Sequence, residues 1–280
     1  MKKGTSKGKF NQIARDIKSV KIQGARNIAK AALNAYSCCT DKYSKKKLIS
    51  LRPTEPMLVH TLNYFEKYGK EKTLQHFDSA QKKINKAALK LIKSGDTIFT
   101  HCHSTNVTGA LINAKKKKKK FEVYNTETRP LFQGRKTARE LKKEGIKVTM
   151  FVDSALGIAL SDEQGTEKAD KVFIGADAIT RKGVINKVGS ELVAQVAKNQ
   201  NIPIYVIADS WKFTKSNPPI EQRKLNEVWD QAPKKIKIKN PAFEFVPKKY
   251  IKGIVSEFGV LSYDKFIEQN NKRNLKFKKR

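Results

Sequence analysis

From Gly95 onward the chain alternates short β-branched runs with helix-length segments of mixed polarity, and few folds accommodate that pattern. The runs are Thr97–Thr100, Phe121–Tyr124, Val148–Val152, Val172–Gly175, Ile204–Ala208 and Ile251–Val255. Strands that alternate with helices predict a parallel sheet with right-handed crossovers. Before Gly95 the period is different. Apolar residues recur at helical spacing in Ile13-Ala14-Ile17-Val20, in Ala25-Ile28-Ala29-Ala32-Leu33, in Met57-Leu58-Leu62-Phe65 and in Ile84-Ala87-Ala88-Leu91-Ile92. Arg52-Pro53-Thr54 interrupts them, because a proline disfavours helix at the residue before it. A loop that delivers Arg52, then a new helix, is expected. The expected class is α/β: a helical N-terminal domain over 1–94, then a Rossmann-like parallel-sheet domain over 95–280.

Composition narrows the setting. With 39% hydrophobic and 30% charged residues, 280 residues suffice for a real core in a soluble protein. No apolar run approaches the roughly 20 residues that cross a bilayer, and Met1-Lys2-Lys3-Gly4-Thr5-Ser6 leads into no apolar stretch of a secretory kind. The three cysteines are Cys38, Cys39 and Cys102. An odd number with an adjacent pair argues against a disulfide framework and for a reducing, cytoplasmic setting. The net charge of +33 invites a nucleic-acid partner, but the excess is mostly lysine, spread along the chain and interleaved with acids. The one dense block, Lys115–Lys120, falls between an expected helix and an expected strand and reads as a solvated connection. Nucleic-acid binding is therefore disfavoured, while small anions would be drawn in. Were RNA the partner after all, affinity would fall steeply with salt.

The chemistry-bearing residues collect where strands end. The run Asp96-Thr97-Ile98-Phe99-Thr100 stops at His101-Cys102-His103-Ser104. A thiol between a strand end and a helix start lies in the positive end of the helix field, which favours thiolate. The next run leads to Thr126-Glu127-Thr128-Arg129-Pro130 and Gln133-Gly134-Arg135, the third to Asp153 and the fourth to Gly175-Ala176-Asp177. The fifth leads to Asp209-Ser210-Trp211-Lys212. Carboxyl ends of parallel strands are where α/β proteins bind ligands. Gln23-Gly24-Ala25-Arg26 reads as a further helix start open to anions. Asp153 reads better as a cap or orienting group than as a catalyst. A metal site is disfavoured: His101 and His103 point to alternate faces of a strand, and His60 and His76 are the only other histidines.

Taken together, these strings resemble one superfamily. It unites archaeal ribose-1,5-bisphosphate isomerase, methylthioribose-1-phosphate isomerase and the regulatory subunits of eukaryotic initiation factor two B. The likeness is carried by Thr100-His101-Cys102-His103-Ser104, Thr126-Glu127-Thr128-Arg129-Pro130, Gly175-Ala176-Asp177, Val184-Ile185-Asn186-Lys187-Val188-Gly189, Trp211-Lys212-Phe213 and Asn240-Pro241-Ala242-Phe243-Glu244. The isomerases of that superfamily keep a cysteine and an aspartate, which correspond here to Cys102 and Asp177; the regulatory subunits generally lose one or both. The His-Cys-His-Ser context is nearest the ribose-1,5-bisphosphate isomerases, whereas Thr54-Glu55-Pro56 departs from the isomerase pattern toward factor-like homologues.

The resemblance implies an aldose–ketose isomerase acting on a sugar bisphosphate in nucleoside-monophosphate salvage. Cys102 would be the base at carbon 2 and Asp177 the proton shuttle among sugar oxygens. Gly24, Ala25, Arg26, Arg52 and Ser104 would hold phosphates; Arg129, Asn186, Lys187 and Lys212 would bind the remaining oxygens. No metal or organic cofactor is implied. A homo-oligomer (dimer or hexamer) and a nucleotide effector at a separate site are implied by the same likeness. Two rivals remain: a non-catalytic regulator, and methylthioribose-1-phosphate isomerase. An apolar pocket in place of a second cationic cradle would favour the latter.

Overall fold

The computed structural model describes residues 3–278. Met1 and Lys2 of the basic start, and the last two residues of the 95–280 span, lie outside them. The helical part comprises α1 (Lys3–Lys18), α2 (Ala25–Tyr36), α3 (Lys42–Leu51) and α4 (Pro56–Leu89). Its core is built on Ile17, Ile28, Ala32, Leu58 and Leu62, periodic apolar positions brought onto facing stripes, together with Phe10 and Leu48. The proline at the start of α4 is Pro56 rather than Pro53, and Arg52 caps the end of α3, so the expected loop delivers Arg52 between two helices.

Helix α4 does two jobs because Gly69, at φ +79°, breaks it. The part before the break packs among the other helices through Leu58 and Leu62. The part after it covers one face of the sheet, where Ile84, Ala87 and Ala88 join Ile98, Val123, Phe173 and Val255.

The sheet strands are β1 (Thr97–Thr100), β2 (Glu122–Thr126), β3 (Lys147–Phe151), β4 (Lys171–Ile174), β7 (Ile204–Ile207), β9 (Gly253–Ser256) and β10 (Gly259–Leu261). Their order is β10-β9-β7-β4-β1-β2-β3, parallel except for β10 on β9. All six expected runs are strands, within a residue or two at their ends. Helices α5 (Thr105–Lys116), α6 (Gln133–Lys143), α7 (Leu156–Ala159), α8 (Ser190–Asn199) and α9 (Tyr263–Lys278) cross between or follow them. Burial on both faces explains why β1 and β4 are wholly buried and read as continuous apolar runs. Residues alternate between the two cores: Ile98 faces the α4–α5 layer, and Phe99 faces the layer that holds Leu156, Val193 and Phe266.

A second sheet was not expected from the sequence. Strands β5 (Ala178–Ile179), β6 (Gly183–Lys187) and β8 (Phe243–Pro247) pair antiparallel in the order β5-β6-β8. It begins directly after Asp177 and carries Asn186 and Lys187 toward the strand ends of the main sheet.

The β1–β4 neighbourhood is where chain order reverses, since β2 and β3 lie on one side and β7 and β9 on the other. In doubly wound sheets a crevice forms at such a switch point. Cys102 follows β1 and Asp177 follows β4.

Among the described residues no helix is long and apolar enough to cross a membrane.

Candidate active site

The crevice at this switch point is real. About 910 Å³ of empty space, continuous with solvent, is lined by Cys102, Ser104, Asp177, Asn186, Lys187 and Lys212 from the sheet side. Gly24, Ala25, Arg26 and Arg52 line it from the helical side. Ten of the eleven expected site residues therefore meet in one place.

Arg129 is the exception. It is exposed, donates from Nη2 to the Val228 carbonyl at 3.2 Å and lies over the Phe132 ring at 5.0 Å, outside the cleft lining. Its backbone has a structural part instead: Asp153 accepts from Thr128 N at 2.9 Å and from Arg129 N at 2.6 Å. Asp153 thus orients the loop after β2, the role expected of it over catalysis, although it ties this loop and does not cap its own turn.

That loop sets Cys102. Thr128, at φ +62°, offers Oγ1 to the Cys102 N–H at 3.0 Å, and Thr137 Oγ1 donates to the Cys102 carbonyl at 2.8 Å. Cys102 itself is held at φ +67°, a left-handed conformation costly for a residue with a Cβ. The flanking histidines serve the same framework. His101 is fastened between Thr126 Oγ1 (2.6 Å) and the Val188 carbonyl (2.9 Å), and His103 Nε2 lies 3.0 Å from Glu140.

The expectation of a thiolate in the helix field does not hold in this cleft. Part of the residue's surface stays open, but burial pushes the thiol up to about 11, against the smaller opposing effects of Lys187 and the His103 backbone N–H. Helix α5 starts only at Thr105, and Ser104 Oγ already accepts from the Val107 N–H in its first turn. Desolvation outweighs the remaining field.

Gly175 explains how the β1 and β4 loops come so close. A Cβ there would lie 2.7 Å from both the Ser104 Cβ and Oγ, so only glycine admits this approach. Asp177, two residues on, is raised above the usual carboxylate range by burial, although Lys212, Lys187 and Arg52 pull the other way. A buried acid whose hold on its proton is strengthened suits a shuttle.

The cations are placed with care. Lys187 is buried and lies 5.2 Å over the Phe243 ring. Lys212 is fixed by a short turn in which Asp209 accepts from Trp211 N at 2.8 Å while His76 stacks on Trp211 at 3.6 Å. Arg26 donates to Asp78 at 2.9 Å and to Gln81 at 3.1 Å, which ties the start of α2 to the second part of α4. Gly24 stands before α2 at φ +84° and no side chain caps that helix, so its first N–H groups remain available to an anion. Asn186 Nδ2 donates to Ser190 Oγ at 2.8 Å.

The structure adds acids that sequence reasoning passed over. Arg52 donates from Nε to Glu221 Oε2 at 2.9 Å and has Glu55 Oε1 3.6 Å from Nη2, while its Nη1 has no partner. Glu221 also faces Arg223 at 3.7 Å. Glu55 precedes Pro56, a placement that reads as an N-cap, yet it makes no side-chain cap. Nothing in the local pattern distinguishes a capping acid from one turned into a cleft. Glu221 lies in a stretch without periodicity and reaches Arg52 only through the fold.

A doubly wound α/β protein with a thiol, three acids and a ring of cations in a crevice at its switch point has the form of a site for a small anionic ligand. Over residues 17–263 the chain matches the initiation factor 2 subunit family, and it belongs to that family. It is 32% identical to a ribose 1,5-bisphosphate isomerase of Archaeoglobus fulgidus over 89% of this chain and 88% of that one. It is 34% identical to a protein of the same name from Methanocaldococcus jannaschii, over 88% and 89%. Among solved structures, a translation initiation factor eIF-2B of Pyrococcus horikoshii superposes with a TM-score of 0.80 at 26% identity, covering 90% of this chain and 96% of that one.

Proposed function

We propose that this protein is an isomerase that converts ribose 1,5-bisphosphate to ribulose 1,5-bisphosphate. The observation that carries the reading is the meeting of Cys102 and Asp177 in one cleft lined by cations from both halves of the chain. The names borne by its relatives support the substrate.

The chemistry is dictated by the substrate. Phosphate on carbon 1 prevents a free aldehyde, so the ring must open as the carbon 2 proton leaves. Cys102, as thiolate, takes that proton while the bond from carbon 1 to the ring oxygen breaks, and Asp177 protonates the departing ring oxygen. The product is an enol phosphate. Asp177, now a carboxylate, then takes the proton from the carbon 2 hydroxyl as the thiol of Cys102 returns its proton to carbon 1. Both groups end as they began. Asp177 must start protonated, and burial acts in that direction, against Lys212, Lys187 and Arg52. Cys102 must start as thiolate, so kcat/KM should climb with pH from neutrality. Arg52, Lys187, Lys212 and the open start of α2 would hold the phosphates and oppose the growing negative charge. The helical part, taken as residues 1–94, and the sheet part, taken as 95–280, would each contribute one wall of the site. A homo-oligomer is expected, checked by light scattering on the purified chain.

The test is direct. Purified protein is incubated with ribose 1,5-bisphosphate and ketose formation is followed by NMR, with methylthioribose 1-phosphate as the competing substrate. Turnover of the bisphosphate, lost by about 100-fold or more in Cys102→Ser and Asp177→Asn with binding retained, supports the reading. Binding without turnover by folded wild-type protein would point to a regulator.

A further inference from the structure

Glu55 has no role in the reaction as written above, yet it is the least expected group in the cleft. Only 1% of it is exposed, it lines the cavity, and neither carboxyl oxygen has a hydrogen-bond partner among the described residues. Its nearest cation, the Arg52 guanidinium, stands 3.6 Å away and is shared with Glu221, leaving Nη1 unpartnered as well. Buried polar atoms are almost always bonded, so orphaned oxygens facing a ligand cleft mark the place of a ligand's own polar atoms.

Resting on the isomerase reading, we propose that Glu55 is a substrate-binding group: its unpartnered carboxyl donates a hydrogen bond to a sugar oxygen bound in the cleft it shares with Asp177, oriented by Arg52. A carboxylate here would repel a bisphosphate and would itself be repelled by its surroundings. The groups that face it decide its state. Burial, Asp177 after β4 and Glu221 in the loop beyond Lys212 favour the neutral acid; Arg52 at the end of α3 and Lys212 oppose them. The balance lifts Glu55 to about 8. At neutral pH it is therefore a donor, able to bind an uncharged hydroxyl as Arg52 binds an anionic oxygen.

This has a kinetic signature. If turnover needs the thiolate of Cys102 and the protonated forms of Asp177 and Glu55, loss of the Glu55 proton should take one unit off the slope of log(kcat/KM) near the Glu55 value, well before Cys102 is titrated. The experiment measures kcat/KM for ribose 1,5-bisphosphate from pH 6 to 10 in the wild type, Glu55→Gln and Glu55→Ala. Glutamine keeps a donor and loses the titration. It should keep more of the activity at pH 7 than alanine does, and its profile should lose the bend that the wild type shows near the Glu55 value. Alanine should lose about 10- to 100-fold, the worth of a buried hydrogen bond. A Glu55→Gln profile that bends where the wild type bends, or an alanine variant as active as the glutamine one, overturns the inference. Infrared spectroscopy supplies an arm that does not depend on turnover. At pH 7 the wild type should show a protonated-carboxyl band that is missing in Glu55→Gln and that shifts when ribose 1,5-bisphosphate binds. Its absence, or its indifference to the sugar, overturns the inference as well. If the band shifts and no ketose forms, the isomerase reading fails while the proton-bearing, sugar-contacting Glu55 stands.

Discussion

The reactivity of Cys102 toward an alkylating agent separates two physical accounts of the same thiol. Consider iodoacetamide acting on a Cys38→Ser, Cys39→Ser background, with the cysteine of an end-blocked model peptide as reference. Burial lifts the Cys102 thiol to about 11. At pH 8 roughly one molecule in a thousand then carries the thiolate, whereas an ordinary thiol near 8.5 is about a quarter ionised. That is a deficit of about 250-fold. A more basic thiolate is a better nucleophile, by roughly tenfold for a difference of this size if the Brønsted slope for thiolate attack applies. The net expectation is alkylation about 25-fold slower than the reference at pH 8. Between pH 7 and 10 the rate should rise tenfold per unit with no plateau. Lys187→Met should slow it further at every pH, because Lys187 is the principal group favouring the thiolate. Labelling as fast as free thiol, or a plateau below pH 9, would refute the claim that desolvation outweighs the helix field here. Such a result would return Cys102 to the poised thiolate that its position in the sequence suggests.

Three further outcomes follow from the structure. A Cβ at Gly134 would stand 1.7 Å from the Thr126 carbonyl oxygen, a backbone atom that cannot move aside, so Gly134→Ala should cost about 3 kcal/mol or more by chemical denaturation. Glu55 binds its proton more tightly folded than unfolded, so between about pH 4.5 and 8 the folded state holds the extra proton and stability falls as pH rises. Glu55→Gln should therefore gain in Tm over the wild type as pH is raised from 5 to 8; a constant difference would contradict it. Asp209 runs the other way: burial works against its charge, but His76 and the Trp211 N–H win and hold it below its usual range. Asp209→Asn should cost roughly 1 to 3 kcal/mol at pH 7, and the loss should shrink as pH falls through the carboxylate range in parallel denaturation series.

The central sheet could be read from the chain because its strands are buried on both faces, which forces unbroken β-branched runs such as Ile98-Phe99 and Val172-Phe173-Ile174. The second sheet could not. Its strands are short, and β6 mixes Asn186 and Lys187 with apolar residues because those side chains serve the cleft. Site residues at strand ends were legible for a related reason: topology alone carries the end of β1 and the end of β4 to one crevice. Arg129 has the same address in sequence, but Asp153 draws its backbone aside and its side chain turns to Val228 and Phe132. Glu221 belongs to no element, so only the folded chain shows that it takes the Nε of Arg52.

The charge balance of the cleft carries the argument one step beyond the overall excess of +33. Lysines on the surface raise the local concentration of any anion and do not choose among them. Choice falls to groups at the cleft, and there acids oppose the cations: buried Glu55 and half-buried Glu221 stand against Arg52, and exposed Asp78 against Arg26. A site built only to grip phosphate would leave those guanidinium groups free. Pairing each with a carboxyl weakens unselective anion binding and fixes the direction in which the remaining N–H groups point. If so, Glu221→Gln should bind inorganic phosphate more tightly than the wild type, by a few-fold in calorimetry, while turning the bisphosphate over more slowly because Arg52 is no longer held by a charged partner. Unchanged phosphate affinity together with unchanged turnover would mean that Glu221 serves packing alone, and that the selectivity of the cleft lies in its shape.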